Sequence, residues 1–557
     1  MSRASTLLTL LKVLLLVLFV ASTNHGVGAR ILEFWARGYW LALVVFLGIW
    51  SLALLALTIS AFLPRLWMRL CWAVPIALST LAGAVVFSIA RVQLSLFEVV
   101  LYWSERAHWG DALESYSAWL YQPLLLVLVG IVAMLLPVTI RLPRVRLLCA
   151  VPLTPILATS ALLIYQGGEG TRALPEQFNA ISMTAVLVLG SSQFDSEFSR
   201  ESVALDLAGS PPVDHVILIV DESVRADFLD LNLERGVTPF LRSRGESIAN
   251  FGYAVSASNC SLFSNLTLRF GGTPERVSES IRSGPSIWSY AHAAGFRTVY
   301  VDAQYVGGAL QNGMTAVERG TIDEFVQFDG FSRPERDHEA ARELRRITSS
   351  PDRHFVYVNK NGSHFPYIRN YPRQAAPFEP DMEPGEALGR SRERLLNSYK
   401  NSIRWTVDGF FRELLSDDLS NTVVIYTSDH GQNLMDRGVV FQCDSSDPHF
   451  LEGLVPLLVL TGDQELAVRV TDAAARNRGR ATHFEIFPTL LELFGFERSE
   501  VASAYGEGLL GRLGERSRRF SYGPIAGYPG REVRWKEMPP DLAGLQEARE
   551  SRPSDRE

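Results

Sequence analysis

The sequence predicts an α-helical transmembrane domain of about five spans followed by an α/β extracytoplasmic domain, on three observations. The first third is a series of uncharged apolar stretches, charge is divided unevenly along the chain, and the remainder alternates short β-rich runs with helical patterns. The 557 residues are 47% hydrophobic and 20% charged, with 53 Lys+Arg against 60 Asp+Glu. Residues 1–166 hold 11 basic and 5 acidic side chains, leaving 42 and 55 for residues 167–557, so the two parts carry +6 and −13. That division excludes a disordered chain and a simple cytosolic enzyme. The acidic second part also excludes nucleic acid as main partner, because phosphate binding needs concentrated Lys and Arg.

Residues 38–64, 70–90, 115–140 and 147–168 carry no charge, and each is long enough to hold the ~20 apolar residues that cross a bilayer as a helix. A shorter stretch, 7–21, precedes Val27, Gly28 and Ala29 and reads either as a first span or as a cleaved signal. Both readings deliver Arg30 to the outer side. The loop with Arg65 and Arg69 and the loop with Arg141, Arg144 and Arg146 contain no acid, and by the positive-inside rule both are cytoplasmic. Residues 91–114 mix both signs with Phe97, Tyr102, Trp103 and Trp109, the composition of an amphipathic element at headgroup level or of an ordinary connecting loop. Everything after the fifth span then lies outside the cytoplasm.

Residues 1–168 are thus expected as the transmembrane domain and 169–212 as a juxtamembrane linker with one helix resting against the membrane. Residues 213–530 are expected as the folded domain, and 531–557, with Pro539-Pro540 and many charges, as a poorly ordered tail. Strand patterns fall at 215–220, 298–301, 354–358, 422–426 and 455–460, and helical ones at 286–294, 390–415 and 483–493. Such alternation implies a largely parallel sheet covered on both faces.

Chemistry sits just past the strands. Asp221 and Glu222 follow the first, Asp302 the second, Asn359 and then His364 the third, and Asp429 and His430 the fourth. Ligand sites in open α/β sheets lie beyond the carboxyl ends of strands, so these groups can converge despite their separation in the chain. Carboxylates with imidazole form a divalent-metal set, zinc first and manganese second. Singly each signal is weak, since an Asp at a strand end is commonly a cap or turn residue.

With these residues in view, the sequence resembles the membrane-bound phosphoethanolamine transferases of Gram-negative bacteria, in the alkaline phosphatase and sulfatase superfamily. The matching segments are ILIVDESVRAD (217–227), TPFL (238–241), SASNCS (256–261), NGSHFP (361–366), YKNS (399–402), TSDHG (427–431) and VP (455–456). The resemblance implies an alkaline phosphatase/sulfatase-like catalytic domain in the periplasm, anchored in the inner membrane. It implies a metal held by Glu222, Ser261, Asp429 and His430, with Ser261 as nucleophile; a divalent cation beside a hydroxyl lowers its pKa, which lets a weak serine attack phosphorus.

Two departures stand out. The family usually presents Thr after Cys-Gly, whereas this chain reads Asn259-Cys260-Ser261, so Ser258 and Ser264 remain alternatives to Ser261. His364 matches a family histidine that contacts the donor phosphate and supplies a proton to the leaving oxygen. The second such histidine counts to Gln442; His449, the nearest histidine, is expected to take that catalytic role through a differently shaped loop, with Gln442 as a hydrogen-bonding substitute in the alternative. Arg225 either pairs with phosphate or braces the acid beside it. Cys260 and Cys443 are the two cysteines outside the expected spans, and both fall in loops that the resemblance places at the site, which implies a disulfide between them.

The function implied is metal-dependent transfer of phosphoethanolamine from phosphatidylethanolamine to an envelope acceptor (lipid A, core sugar or glucan) through a covalent Ser261 intermediate, by a monomer among membrane lipids. A sulfatase would need a Cys/Ser-x-Pro-x-Arg signature, which residues 260–264 lack. A phosphoglycerol transferase acting on a periplasmic glucan or envelope polymer would use the same chemistry. A non-catalytic envelope-binding membrane protein is the third reading.

Overall fold

The computed structural model describes residues 3–104, 106, 109–137, 148–194, 200–386, 390–416, 419–436, 443, 447–514, 517–523 and 533–540. These divide into a helical unit and, after the helix Glu176–Phe194, an α/β unit.

In the helical unit, helices Arg3–Thr23, Trp40–Phe62, Leu66–Ala90, Tyr121–Leu135 and Leu153–Tyr165 coincide with the five expected apolar stretches. Among the described residues, three helices are long and apolar enough to cross a membrane, or four if the pair Trp109–Trp119 and Tyr121–Leu135, bent by 80°, counts as one span. Five is therefore approximate: at ~1.5 Å per residue, the helices Tyr121–Leu135 and Leu153–Tyr165 fall short of a ~30 Å hydrocarbon core. The loop with Arg141, Arg144 and Arg146, expected to be cytoplasmic, lies outside the described residues. The first helix packs into the bundle, with Leu16 and Phe19 buried. Gly130 allows that approach, since a Cβ there would lie 2.5 Å from the Phe19 ring. Two buried cations close the end of Tyr121–Leu135: Lys12 Nζ donates to the Met134 and Leu136 carbonyls (3.0 and 2.7 Å), and Arg69 to those of Leu135 and Leu136 (2.8 and 2.6 Å), a favourable arrangement at a helix C-terminus.

The expected linker is corrected in its first half. The helix Glu176–Phe194 belongs to the helical unit, where Ser79 Oγ donates to the Glu176 carbonyl (2.7 Å) and Ser160 Oγ to that of Ser182 (3.3 Å). Its polar residues read as linker because polarity normally marks exposure, yet here they pair inside the bundle: Gln177 Nε2 donates to Thr23 Oγ1 (2.8 Å), and Asn24 Nδ2 to Gln177 Oε1 (3.1 Å). Residues 91–114 contain two short helices, Leu96–Ser104 and Trp109–Tyr116, whose Trp103 and Trp109 rings meet edge to face.

The α/β unit is built on a seven-stranded sheet. In chain order the strands are β1 His215–Asp221, β2 Ala249–Val255, β3 Arg297–Asp302, β4 Glu324–Gln327, β5 His354–Asn359, β6 Thr422–Ser428 and β7 Leu454–Thr461, and their spatial order is β2-β7-β6-β1-β5-β3-β4. β1 is buried along its whole length, as its unbroken apolar run requires when both faces are covered. The five strands from β6 to β4 are parallel, whereas β7 runs antiparallel to both β6 and β2. The chain leaves β6 and enters β7 at the same end of the sheet, so no crossover intervenes. β2 escaped the sequence pattern because its register shifts between Asn250 and Tyr253, and β4 is only four residues long.

The expected disordered tail is also corrected. Arg534–Glu537 forms a strand, β9, paired antiparallel with β8, Arg519–Tyr522. Trp535 packs 6.0 Å from the Phe484 ring and beneath the Arg519 guanidinium at 4.7 Å, which anchors an otherwise charged segment. Residues 541–557 lie outside the described residues.

Candidate metal centre

β1 and β6 are neighbours with Asp221 opposite Ser428, so the residues that follow them, Glu222 on one side and Asp429 and His430 on the other, emerge together. Their ligand atoms lie within 4.8 Å of one another, all buried. Ser261 reaches the same point as the first residue of the helix Ser261–Phe270, with Oγ 3.3 Å from both Glu222 Oε2 and His430 Nε2. The positive end of that helix dipole favours negative charge developing on Ser261. The helix is held to the sheet through Asn265, whose Oδ1 accepts from Tyr357 OH on β5 at 2.7 Å.

The four expected metal and nucleophile residues are therefore brought together. The alternatives to Ser261 are engaged elsewhere: Ser258 Oγ donates to the Ser521 carbonyl and Ser264 Oγ to that of Ser258, each at 3.1 Å. His430 Nδ1 donates to the Gly431 carbonyl at 2.5 Å, which leaves the Nε2 lone pair for the cluster.

The donor set fits a divalent cation. Asp429 Oδ1 accepts from the Ser223 and His430 amides at 3.0 and 2.7 Å, while its buried Oδ2 has no hydrogen-bond partner among the described residues. Burial alone would push Glu222 up, but the neighbouring imidazoles of His364 and His430, with a hydrogen bond from Ser223 Oγ, outweigh it and hold the carboxyl down at about 2. Burial and the adjacent Glu222 charge push Asp429 well above the usual carboxylate range. Two buried carboxyls sharing one site cannot both be ionised cheaply without a cation between them. Two carboxylates, one imidazole nitrogen and a hydroxyl suit zinc.

His364 is half-buried, with Nδ1 donating to the Phe365 carbonyl at 2.6 Å, and its charge is among those acting on Glu222. His449 caps the turn Phe450–Gly453, where its Nδ1 accepts from the Leu451 amide at 3.3 Å and its ring packs on Phe450. That turn braces the nucleophile loop, because Asn259 Nδ2 donates to Glu452 Oε2 at 2.9 Å. Gln442 lies outside the described residues. Arg225 is fully buried between Asp227 (2.7 Å) and Asp436 (2.9 Å), so the acids it braces are these two rather than the expected Glu222.

Asp302 and Asn359, expected to converge with the acids, form a neighbouring network. Asp302 Oδ1 accepts from Asn359 Nδ2 at 3.1 Å and from the Gln304 amide at 3.0 Å, which satisfies it locally. The strand-end rule that singled out Asp302 stopped two residues early: Gln304 Nε2 donates to Glu222 Oε2 at 3.0 Å. Tyr399, noted only as part of a motif, ties down the loop after β1 by donating to the Ser223 carbonyl at 2.6 Å and accepting from the Arg225 amide at 2.9 Å.

Cys260 and Cys443 form the expected disulfide, with Cα atoms 4.9 Å apart. It closes a loop across 183 positions, so Cys443→Ser is expected to destabilise the α/β unit by about 2–5 kcal/mol, read as a lower denaturation midpoint. Gly362, at φ +53°, sits where a Cβ would lie 2.1 Å from Asp221 Oδ1 and 2.7 Å from the Glu222 amide. Gly362→Ala is expected to cost at least about 1–3 kcal/mol and to weaken metal binding, checked by thermal denaturation and zinc titration.

The Kdo(2)-lipid A phosphoethanolamine 7''-transferase of Salmonella typhimurium is 24% identical over 277 residues, covering 45% of this chain and 45% of the relative. The Escherichia coli protein of the same name is 23% identical over 295 residues, covering 51% and 52%. The chain thus spans about half the length of these relatives. Among solved structures, the integral membrane lipooligosaccharide phosphoethanolamine transferase A from Neisseria meningitidis superposes with a TM-score of 0.60 at 19% identity, over 90% of this chain and 97% of that one. The zinc complex of the C-terminal periplasmic domain of EptC from Escherichia coli gives 0.51 at 16% identity, over 60% and 96%. At these identities the likeness is one of fold. Residues 214–496, half of the chain, match the sulfatase family, and the chain belongs to it.

Proposed function

We propose that the chain is a phosphoethanolamine transferase of the bacterial inner membrane, with its α/β unit in the periplasm, acting on phosphatidylethanolamine as donor and an envelope glycolipid as acceptor. The observation that carries this reading is Ser261 Oγ at 3.3 Å from both Glu222 and His430. The names of the similar Salmonella and Escherichia proteins support the headgroup and the acceptor class. The apolar helices support membrane attachment, and the Cys260–Cys443 disulfide suits an oxidising compartment.

Glu222, Asp429, His430 and Ser261 Oγ would hold zinc, which when bound supplies positive charge that lowers the pKa of the hydroxyl and stabilises the phosphoryl oxygens. Ser261 Oγ attacks the donor phosphorus, the helix Ser261–Phe270 directing its dipole at the developing charge. The bond from phosphorus to the diacylglycerol oxygen breaks, His364 giving that oxygen its proton. An acceptor hydroxyl or phosphate then attacks the phosphoethanolamine-serine, a hydroxyl passing its proton to His364, and the bond from phosphorus to Ser261 Oγ breaks to free the serine. Glu222 and His430 hold Ser261 Oγ in place through both steps, as proximity demands.

Incubation of the detergent-purified protein with an envelope glycolipid and headgroup-labelled donors tests this reading. A glycolipid gaining ethanolamine phosphate from phosphatidylethanolamine supports it. Transfer from phosphatidylglycerol alone would replace it with phosphoglycerol transfer.

A further inference from the structure

Beneath the metal centre lies a buried lysine that the proposed chemistry does not use. Lys360 follows β5, is fully buried, and points its Nζ at Asp221 Oδ2 (2.5 Å) and the Thr406 carbonyl (2.6 Å), with Asp337 Oδ2 at 3.9 Å and the Phe410 ring at 4.4 Å. Thr406 belongs to a widened π-helical turn, Arg404–Gly409, that interrupts an otherwise α-helical run. Such turns are uncommon and concentrate where a helix must offer a group to a site.

Both carboxylates that meet Lys360 hold backbone rather than substrate. Asp221 Oδ1 accepts from the Glu222 amide at 2.9 Å, and its Oδ2 is shared by Lys360 and Tyr426 OH (2.8 Å). Asp337 accepts from the Asn361 and Gly362 amides at 2.8 and 2.9 Å. The two loops are also stitched directly, the Lys360 amide donating to the Val220 carbonyl (3.0 Å) and the Ser363 amide to that of Glu222 (2.9 Å). Burial pushes the Asp337 carboxyl up to about 6, with Lys360 opposing the rise and Asp221 adding to it. A buried carboxylate that loses the cation it is paired with is left with an unpaired oxygen, and it shifts or draws in water and grips amides less well.

We propose that Lys360 is a positioning residue for the metal centre: its ammonium ties Asp221, Asp337 and the Thr406 carbonyl together, and the two carboxylates fix the loops that present Glu222 and His364. Lys360 follows β5 and its partners come from β1, β6, the helix Arg333–Thr348 and the π-turn, so one ammonium couples the loop carrying a metal ligand to the loop carrying the proposed proton donor. The role assigned to those two end groups rests on the function proposed above; the coupling of the loops does not.

The test compares full-length wild type with Lys360→Met and with Lys360→Met/Asp337→Asn, the second removing a charge pair together in case the single variant fails to fold. Hydrogen exchange of the zinc-free proteins is expected to quicken by about tenfold or more in peptides spanning 220–225 and 359–365, with the rest of the sheet unchanged. Zinc affinity, measured by competition with a chromophoric chelator, is expected to fall about 10–100-fold, the range seen for groups that orient a ligand from behind. In zinc-saturated protein, kcat falls while KM for the donor stays within about twofold, since Lys360 touches no substrate. Unchanged exchange in both peptides, or a lower melting temperature with wild-type zinc affinity and wild-type kcat, would overturn the proposal. Should the wild type take up no zinc and transfer no headgroup, the metal reading fails, and the exchange rates still decide whether Lys360 holds these loops.

Discussion

Ser261→Ala is expected to abolish phosphoethanolamine transfer, with turnover lower by about a thousandfold or more, because no other described hydroxyl is shown to occupy its place. Ser258 commits its hydroxyl to the Ser521 carbonyl on β8, and Ser264 commits its own to the Ser258 carbonyl. Ser258→Ala or Ser264→Ala is therefore expected to cost about 1 kcal/mol of stability and to leave transfer measurable. Ser261 is only half-buried and donates weakly, at 3.3 Å, to its neighbours, so the alanine variant should fold and keep Glu222, Asp429 and His430 in register. Rates with labelled donor, taken beside a denaturation curve, separate loss of chemistry from loss of fold.

Asp429→Asn is expected to have the second largest effect, a loss of zinc and a fall in turnover of similar size, matched in the wild type by a chelator and reversed by adding metal. The carboxyl presents a buried oxygen with no partner among the described residues, and the amide would offer a weaker, uncharged donor in its place. The pH dependence has a definite sign. Without metal, burial and the Glu222 charge hold Asp429 well above the usual carboxylate range, so it keeps its proton where an ordinary Asp has lost it. Zinc must displace that proton, and affinity is expected to weaken as pH falls and to strengthen as it rises. Zinc titrations at several pH values, in wild type and Asp429→Asn, check this: the slope should flatten in the variant.

Much of the centre was legible in the sequence for one reason. Parallel strands are read as apolar runs, and the side chains just past their ends must meet at one edge, so Glu222, Asp429, His430 and His364 could be gathered without knowing how the strands are ordered. The strand order itself, with β1 between β6 and β5, is set by long-range packing that local patterns do not encode. Asp302 and Asn359 obeyed the same rule yet turned to each other, because a strand-end carboxyl is as readily satisfied by a neighbouring amide as by a metal. Lys360 gave no signal, since a lysine after a strand normally points to water, and only the placement of Asp221 and Asp337 makes its burial tolerable. The helix Glu176–Phe194 and the strand Arg534–Glu537 were misread for a related reason: their polar residues find partners inside the fold, which composition does not report.

The central claim is that Ser261 carries phosphoethanolamine between donor and acceptor. Intact mass of the zinc-loaded, detergent-purified protein after incubation with phosphatidylethanolamine, without acceptor, tests it most directly. A gain of one phosphoethanolamine in the wild type, absent in Ser261→Ala and cleared when acceptor is added, is the predicted result. Steady transfer to the acceptor with no mass gain in the wild type, or an undiminished gain in Ser261→Ala, would contradict it.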